Sequence, residues 1–222
     1  MRENRSETKG RIKNAEVDLG AVVGQLRDRS SAKRRSAAKK LRKLADTCAC
    51  PALLEALTLE LGDQRTWETQ YHLIMALGQT GCTAALPLIR ELAQEKFWAT
   101  MRQMAVGDAF VRLSRPSAAD AAPVIVALEI AREHDPQVAA GAMRAVAMLR
   151  LKFGESTAEW LVKAVDEFGY DDLTFWTAAA SAGWTGDAVR GFLERCLQSR
   201  QEWTREAAGL ALKGEYKSYK PL

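Results

Sequence analysis

Three prolines, Pro51, Pro87 and Pro123, stand 36 residues apart, and the apolar residues around them keep the same step. Leu41, Leu77, Leu113 and Leu149 form one column, and Val17, Leu53, Ile89, Ile125 and Leu161 form a second. A step of about 20–50 residues marks stacked units, none of which can bury its apolar face without a neighbour. The chain is therefore expected to be an array that works through its surface.

Within each step the apolar spacing is helical. The first unit pairs a helix over about 31–45, with Ala37, Ala38, Leu41 and Leu44 on one stripe, with a second over about 51–61. Pro51 suits the first turn of that second helix, where its missing N–H has no intrahelical partner to lose. Unit two spans 66–96 and unit three 97–134. Unit four pairs 138–151 with 157–168, and a shorter unit five pairs 173–182 with 188–197. In full, the sequence predicts a flexible basic tail over 1–13 and one repeat domain over 14–215, followed by a C-terminal tail over 216–222. The domain divides into a capping helix at 14–29, about five hairpins over 31–199 and a terminal helix at 201–214. About twelve helices result, with no segment of sustained strand alternation.

Unit two carries a recognisable pattern. Ala76-Leu77-Gly78-Gln79-Thr80-Gly81 followed by Ala85-Leu86-Pro87-Leu88-Ile89 resembles the HEAT repeat, in particular the bacterial phycobilisome-lyase type. Asp135-Pro136-Gln137-Val138 and Thr204-Arg205 with Ala207, Ala208, Ala211 and Leu212 resemble other parts of that unit. The resemblance implies an all-α fold, a right-handed α-solenoid of HEAT-like helical hairpins. It also implies that second helices line the concave face and first helices the convex one. On that map the concave face would be mildly acidic, from Glu55, Glu60, Glu91, Glu95, Glu129, Glu133, Asp166, Glu167 and Glu194 set against fewer cations.

Charge is unevenly spread. The net charge is +4, yet residues 1–43 hold 14 Lys/Arg against 5 Asp/Glu, and the remainder holds 18 against 23. Lys33, Arg34, Arg35, Lys39, Lys40, Arg42 and Lys43 flank the apolar stripe of the first helix and form a basic face or edge. Such a patch pairs with phosphate or with an acidic protein surface. Six tryptophans are more than core packing needs. Trp67, Trp98 and Trp203 fall at the starts of first helices, where they can cover seams. Trp176 and Trp184 flank small residues and could frame a shallow pocket, with Arg190 nearby in sequence.

The chemistry-bearing residues are few. No glycine-rich phosphate loop, His-Glu-x-x-His or Gly-x-Ser-x-Gly occurs. His72 and His134, the two histidines, have no nucleophile in register and read as packing or capping residues. Cys48 and Cys50 are too close in sequence for a relaxed bridge, and Cys82 falls in the equivalent loop of the next unit. A thiolate metal site there would lack ligands, so reduced thiols are expected, with no catalytic residues, metal or cofactor. Apolar runs such as Val124–Leu128 are too short to span a bilayer. The N-terminus carries charge without an apolar stretch, so a cytoplasmic protein is expected.

These features predict a non-catalytic scaffold that binds another protein through its superhelical surface. The competing reading is a nucleic-acid-binding protein that uses the basic first repeat. Two enzyme classes share the architecture the resemblance implies, HEAT-like DNA glycosylases and bilin lyase-like proteins. For the former, Trp176, Trp184, Asp171, Asp172 and Arg190 are the residues that could be gathered into a cleft.

Overall fold

A computed structural model describes residues 18–219. The expected flexible tail at 1–13, the start of the capping helix and Val17 lie outside the described residues. Twelve α-helices follow one another, and no strand occurs among the described residues. After α1 (Leu19–Gly24), first helices are α2 (Ser31–Leu44), α4 (Trp67–Thr80), α6 (Thr100–Ser114), α8 (Pro136–Leu149), α10 (Asp171–Ala180) and α12 (Glu202–Leu212). Second helices are α3 (Cys50–Glu60), α5 (Leu86–Ala93), α7 (Ala122–Glu133), α9 (Glu155–Phe168) and α11 (Asp187–Cys196). Pro51, Pro87 and Pro123 all occupy the first turn of a second helix. Carboxylates start several elements: Asp46, Asp63 and Asp135 each accept the backbone N–H two residues on, satisfying donors that a helix end leaves open.

The two apolar columns form the spine between the rows. Leu41, Leu53, Leu77, Ile89 and Leu161 are fully enclosed. Unit three departs from the pattern, because Ile125 is only half-buried while Val124 and Leu128 are enclosed. The α7 helix is turned on its axis so that its neighbouring valine, rather than the periodic isoleucine, meets the core. Leu149 is likewise only half-buried, at the end of α8.

First helices pack side by side along their lengths, while second helices α3, α5, α7 and α11 pack chiefly against the first helix that follows them. Glycine makes the close row feasible. A Cβ built on Gly107 of α6 would lie 1.9 Å from the Val138 carbonyl oxygen of α8, and one on Gly141 of α8 would lie 1.9 Å from that of Met104. On Gly78 of α4 it would lie 3.1 Å from the Ala109 Cα of α6. With these backbones in contact, the first-helix row is the tighter one and the stack bends toward it. This reverses the expected faces: first helices line the concave side, and the acidic second helices lie on the convex side.

A buried glutamine ties consecutive units. Gln70 of α4 donates through Nε2 to the Glu60 and Asp63 carbonyls, and Gln103 of α6 donates to those of Leu92 and Glu95. Each thereby ties the end of the preceding second helix, and the turn that follows it, to the next first helix. Covalent chemistry adds a second tie, and here the thiol expectation is corrected: Cys50 and Cys82 are disulfide-bonded, with Cα atoms 5.4 Å apart, while Cys48 and Cys196 are free. Units one and two place the first residue of α3 against the turn after α4, so cysteines 32 residues apart meet.

Two outcomes follow for stability. Gly107→Ala and Gly141→Ala should each lower the free energy of unfolding by about 3 kcal/mol or more, because overpacking strikes backbone. Gly209→Ala, whose new methyl meets nothing closer than 3.9 Å, should stabilise α12 by up to about 1 kcal/mol. Urea unfolding of the three variants measures both. Separately, Cys50→Ser/Cys82→Ser should cost about 3–4 kcal/mol by loss of the loop constraint. Dithiothreitol should lower the wild-type free energy of unfolding in urea by a similar amount and leave that double variant unmoved.

Candidate functional site: a groove along the first helices

All six first helices of the units contribute to one groove of about 990 Å³ on the concave side. Its character changes along its length. At the N-terminal end α2 presents Lys39, Arg42 and Lys43. The middle is lined by Met75, Met101, Met104 and Met148 around a buried ionic cluster. At the C-terminal end stand Phe175 and Trp176 of α10, Trp203 of α12, and Tyr219. Methionine is flexible and polarizable, and it fits ligand surfaces of varied shape.

The ionic cluster is built from two successive first helices. Asp108 of α6 is 1% exposed; its Oδ1 accepts from Arg112 Nε at 2.5 Å and its Oδ2 from Arg144 Nε of α8 at 3.1 Å. Arg144 also points Nη2 at the Met75 sulfur of α4, 2.7 Å away, and its guanidinium lies 6.0 Å from the centre of the Tyr71 ring. Burial alone would raise the Asp108 pKa. The two guanidinium charges and their hydrogen bonds overcome it and hold the carboxyl below its ordinary range. The carboxylate stays ionised and joins α6 to α8 across the floor of the groove, and Arg144 extends the contact to α4.

The cationic end leaves an electrostatic mark on its neighbour. His72, buried on α4 with its ring edge-on to Tyr71 at 4.8 Å, has its pKa lowered to about 4 by burial and then by Lys39, Arg42 and Arg35. It is neutral near pH 7. His134, at the end of α7, lies 4.0 Å from Glu133.

The basic residues of α2 divide into two sets. Lys33 pairs with Asp28 at 3.1 Å, Arg34 with Glu60 of α3, and Arg35 with Glu68 of α4. Those three are structural ties more than a docking surface. Lys39, Arg42 and Lys43 line the groove, and Lys40 is exposed outside its lining. Of the two flanking tryptophans, only Trp176 reaches the groove. Trp184 is 7% exposed, donates its indole N–H to the Leu151 carbonyl at 2.9 Å and packs on Phe153. Arg190 is exposed on α11 in the convex row. Thus Trp184 and Arg190 are not gathered with Asp172 and Trp176 into one cleft.

Sequence reasoning missed Asp108, Arg112, Arg144 and the four methionines. Asp108 and Arg144 are 36 residues apart, so the repeat step itself carried the signal: a charge on each of two successive first helices at one level. Among the described residues, no group of three or more His, Cys, Asp or Glu is placed to hold a metal ion, and no helix is long and apolar enough to cross a membrane.

Stacked hairpins with a continuous spine and two helical rows define an α-solenoid. The profile of the PBS lyase HEAT-like repeat matches residues 33–58 and 69–95, in units one and two. No curated protein matches the chain. Similar solved structures include an engineered protein from a structural genomics consortium, 18% identical, covering 89% of this chain and 98% of that one with a TM-score of 0.49. Another is a designed armadillo repeat protein, 15% identical, covering 89% and 99% with a TM-score of 0.40.

Asp108→Asn should destabilise the fold by about 3–5 kcal/mol by leaving two buried guanidinium groups without their counter-charge. Because the folded-state pKa of Asp108 is depressed, its contribution is present above the unfolded carboxylate value and fades as pH falls through the folded one. The wild-type advantage over Asp108→Asn in thermal unfolding should therefore hold steady from about pH 7 to 5 and shrink below about pH 4.

Proposed function

We propose that this protein is a binding scaffold whose concave groove receives an extended segment of another protein. The single observation that supports it most is the continuity of the groove across all six first helices, with its lining graded from cations through methionines to aromatics. A rigid, helix-borne concave surface holds a ligand without rearrangement of its own backbone, which limits the entropy lost on binding.

Nucleic acid is the second reading, favoured by the position of Lys39, Arg42 and Lys43 inside the groove. A nucleic acid repeats its charge with every nucleotide, and single-strand binders track it with cations along the whole channel. Here the two other groove arginines, Arg112 and Arg144, are engaged by Asp108, and Asp172 stands at the aromatic end. The charge distribution suits a protein segment better.

Selection of a displayed library of random 16-residue peptides against the intact protein tests the reading. Recovered peptides should lose affinity by about tenfold or more with Met101→Glu or Met148→Glu, which place a charge against the ligand in the groove. Val126→Glu, on the exposed side of α7, should leave binding unchanged. Failure to enrich any peptide, or binding indifferent to the groove variants, rejects this function. A shift of duplex DNA at low salt, abolished when Lys39, Lys40, Arg42 and Lys43 become Glu, would establish the second reading instead.

A further inference from the structure

The chain's own C-terminal segment shows how the aromatic end of the groove is filled. After α12 the backbone leaves helical geometry, and residues 215–219 run without regular structure. Three contacts hold this strap. Tyr216 lies under the Arg150 guanidinium, 5.1 Å from its ring centre; Lys217 pairs with Glu206 of α12; and Tyr219 enters the groove. There its ring sits 4.8 Å from Trp176 and 5.9 Å from Phe175. The strap thus delivers one aromatic side chain into a subsite walled by two others. Its phenolic oxygen is enclosed without a hydrogen-bond partner, a cost that an indole or phenyl ring without that hydroxyl would escape.

The opposite end selects by charge. Lys39 and Lys43 face the groove and form no ion pair among the described residues. Asp172 beside Trp176 disfavours an acidic residue at the aromatic end. From α2 to α10 there are four helix-to-helix steps of about 8–10 Å. At about 3.3 Å per residue, an extended chain crosses that span in roughly 10–12 residues.

Resting on the peptide-binding function above, we propose that the groove's partner is an extended segment with an acidic cluster at one end and an aromatic anchor roughly 10–12 residues away, and that the anchor displaces Tyr219. The strap is an intramolecular placeholder: it keeps the aromatic subsite covered and competes with the partner. The anchor takes the place of the phenol between Trp176 and Phe175, while the carboxylates meet Lys39 and Lys43.

Fluorescence anisotropy with labelled synthetic peptides on the full chain tests this. The probe carries four glutamates, a Gly/Ser/Thr spacer and a terminal tryptophan, in both chain orders. Companion peptides exchange the glutamates for lysines or the tryptophan for alanine, and an oligothymidylate of similar length completes the set. Binding should weaken with added salt, vanish for the lysine peptide, and fall by about tenfold on loss of the tryptophan. Lys39→Glu/Lys43→Glu should weaken it by about tenfold or more. Tyr219→Ala should tighten it about three- to tenfold by removing the competitor, and circular dichroism confirms that this variant stays folded.

Equal or better binding of the lysine peptide, tighter binding of the oligothymidylate, or no change with Tyr219→Ala overturns the proposal. The peptide library separates this from failure of the broader function. Groove-dependent binders lacking the acidic–aromatic pattern would leave peptide binding standing and refute the partner proposed here. An absence of groove-dependent binders would refute both.

Discussion

Backbone contact between consecutive first helices is the constraint on which the rest of the molecule depends. Gly107 faces the Val138 carbonyl and Gly141 faces that of Met104, each at a separation that leaves no room for a side chain. Ala105, Ala109, Ala139, Ala140 and Ala142, all fully enclosed around them, extend the row of small residues. Large residues would hold the helices apart and flatten the stack. Small ones let the inner row close up while the outer row stays spaced, and the curvature that follows makes a groove where a flat array has only a face.

Close packing creates an electrostatic problem that the Asp108 cluster resolves. Two arginines near the same inner surface would repel each other and would be costly to bury without a counter-charge. Asp108 accepts from both, and Arg144 also reaches the Met75 sulfur. Both guanidinium groups at the centre of the groove are thereby committed to one carboxylate, which leaves a single net positive charge there. The groove's lysines stand on α2, and its aromatic side chains gather on α10, α12 and the strap, apart from Tyr71 of α4. That segregation, more than the total charge, is the ground on which a directional peptide is proposed over a uniform polyanion.

The units also differ in how they are fastened. Units one and two share a disulfide and a glutamine tie; the next junction has the glutamine tie alone. In unit four Gln137 turns instead toward Tyr170 and Asp172. Local stability in a solenoid is the sum of each unit's own stability and its interfaces, and the covalent tie lies at the junction of units one and two. The aromatic subsite lies at the other end of the stack, away from that disulfide.

Much of the architecture was readable in the residues. The 36-residue step, the first-turn prolines and the enclosed leucines follow from local rules that hold without tertiary context: helical spacing, the missing proline N–H, and the need of an apolar stripe for a partner. The Ile125 position shows the limit, since spacing fixes that a helix has an apolar face but not how it rotates against its neighbours. The same limit reversed the concave and convex rows, because curvature depends on which row holds backbone contacts, and a glycine inside a helix reads only as a weak helix former. Pairing across units, whether Cys50 with Cys82, Arg35 with Glu68 or Asp108 with Arg144, was decided by the stacking distance. So the sequence by itself determined that helical hairpins must stack. Only the tertiary structure decided which side they enclose, because that side is set by the separations between helices far apart in the chain.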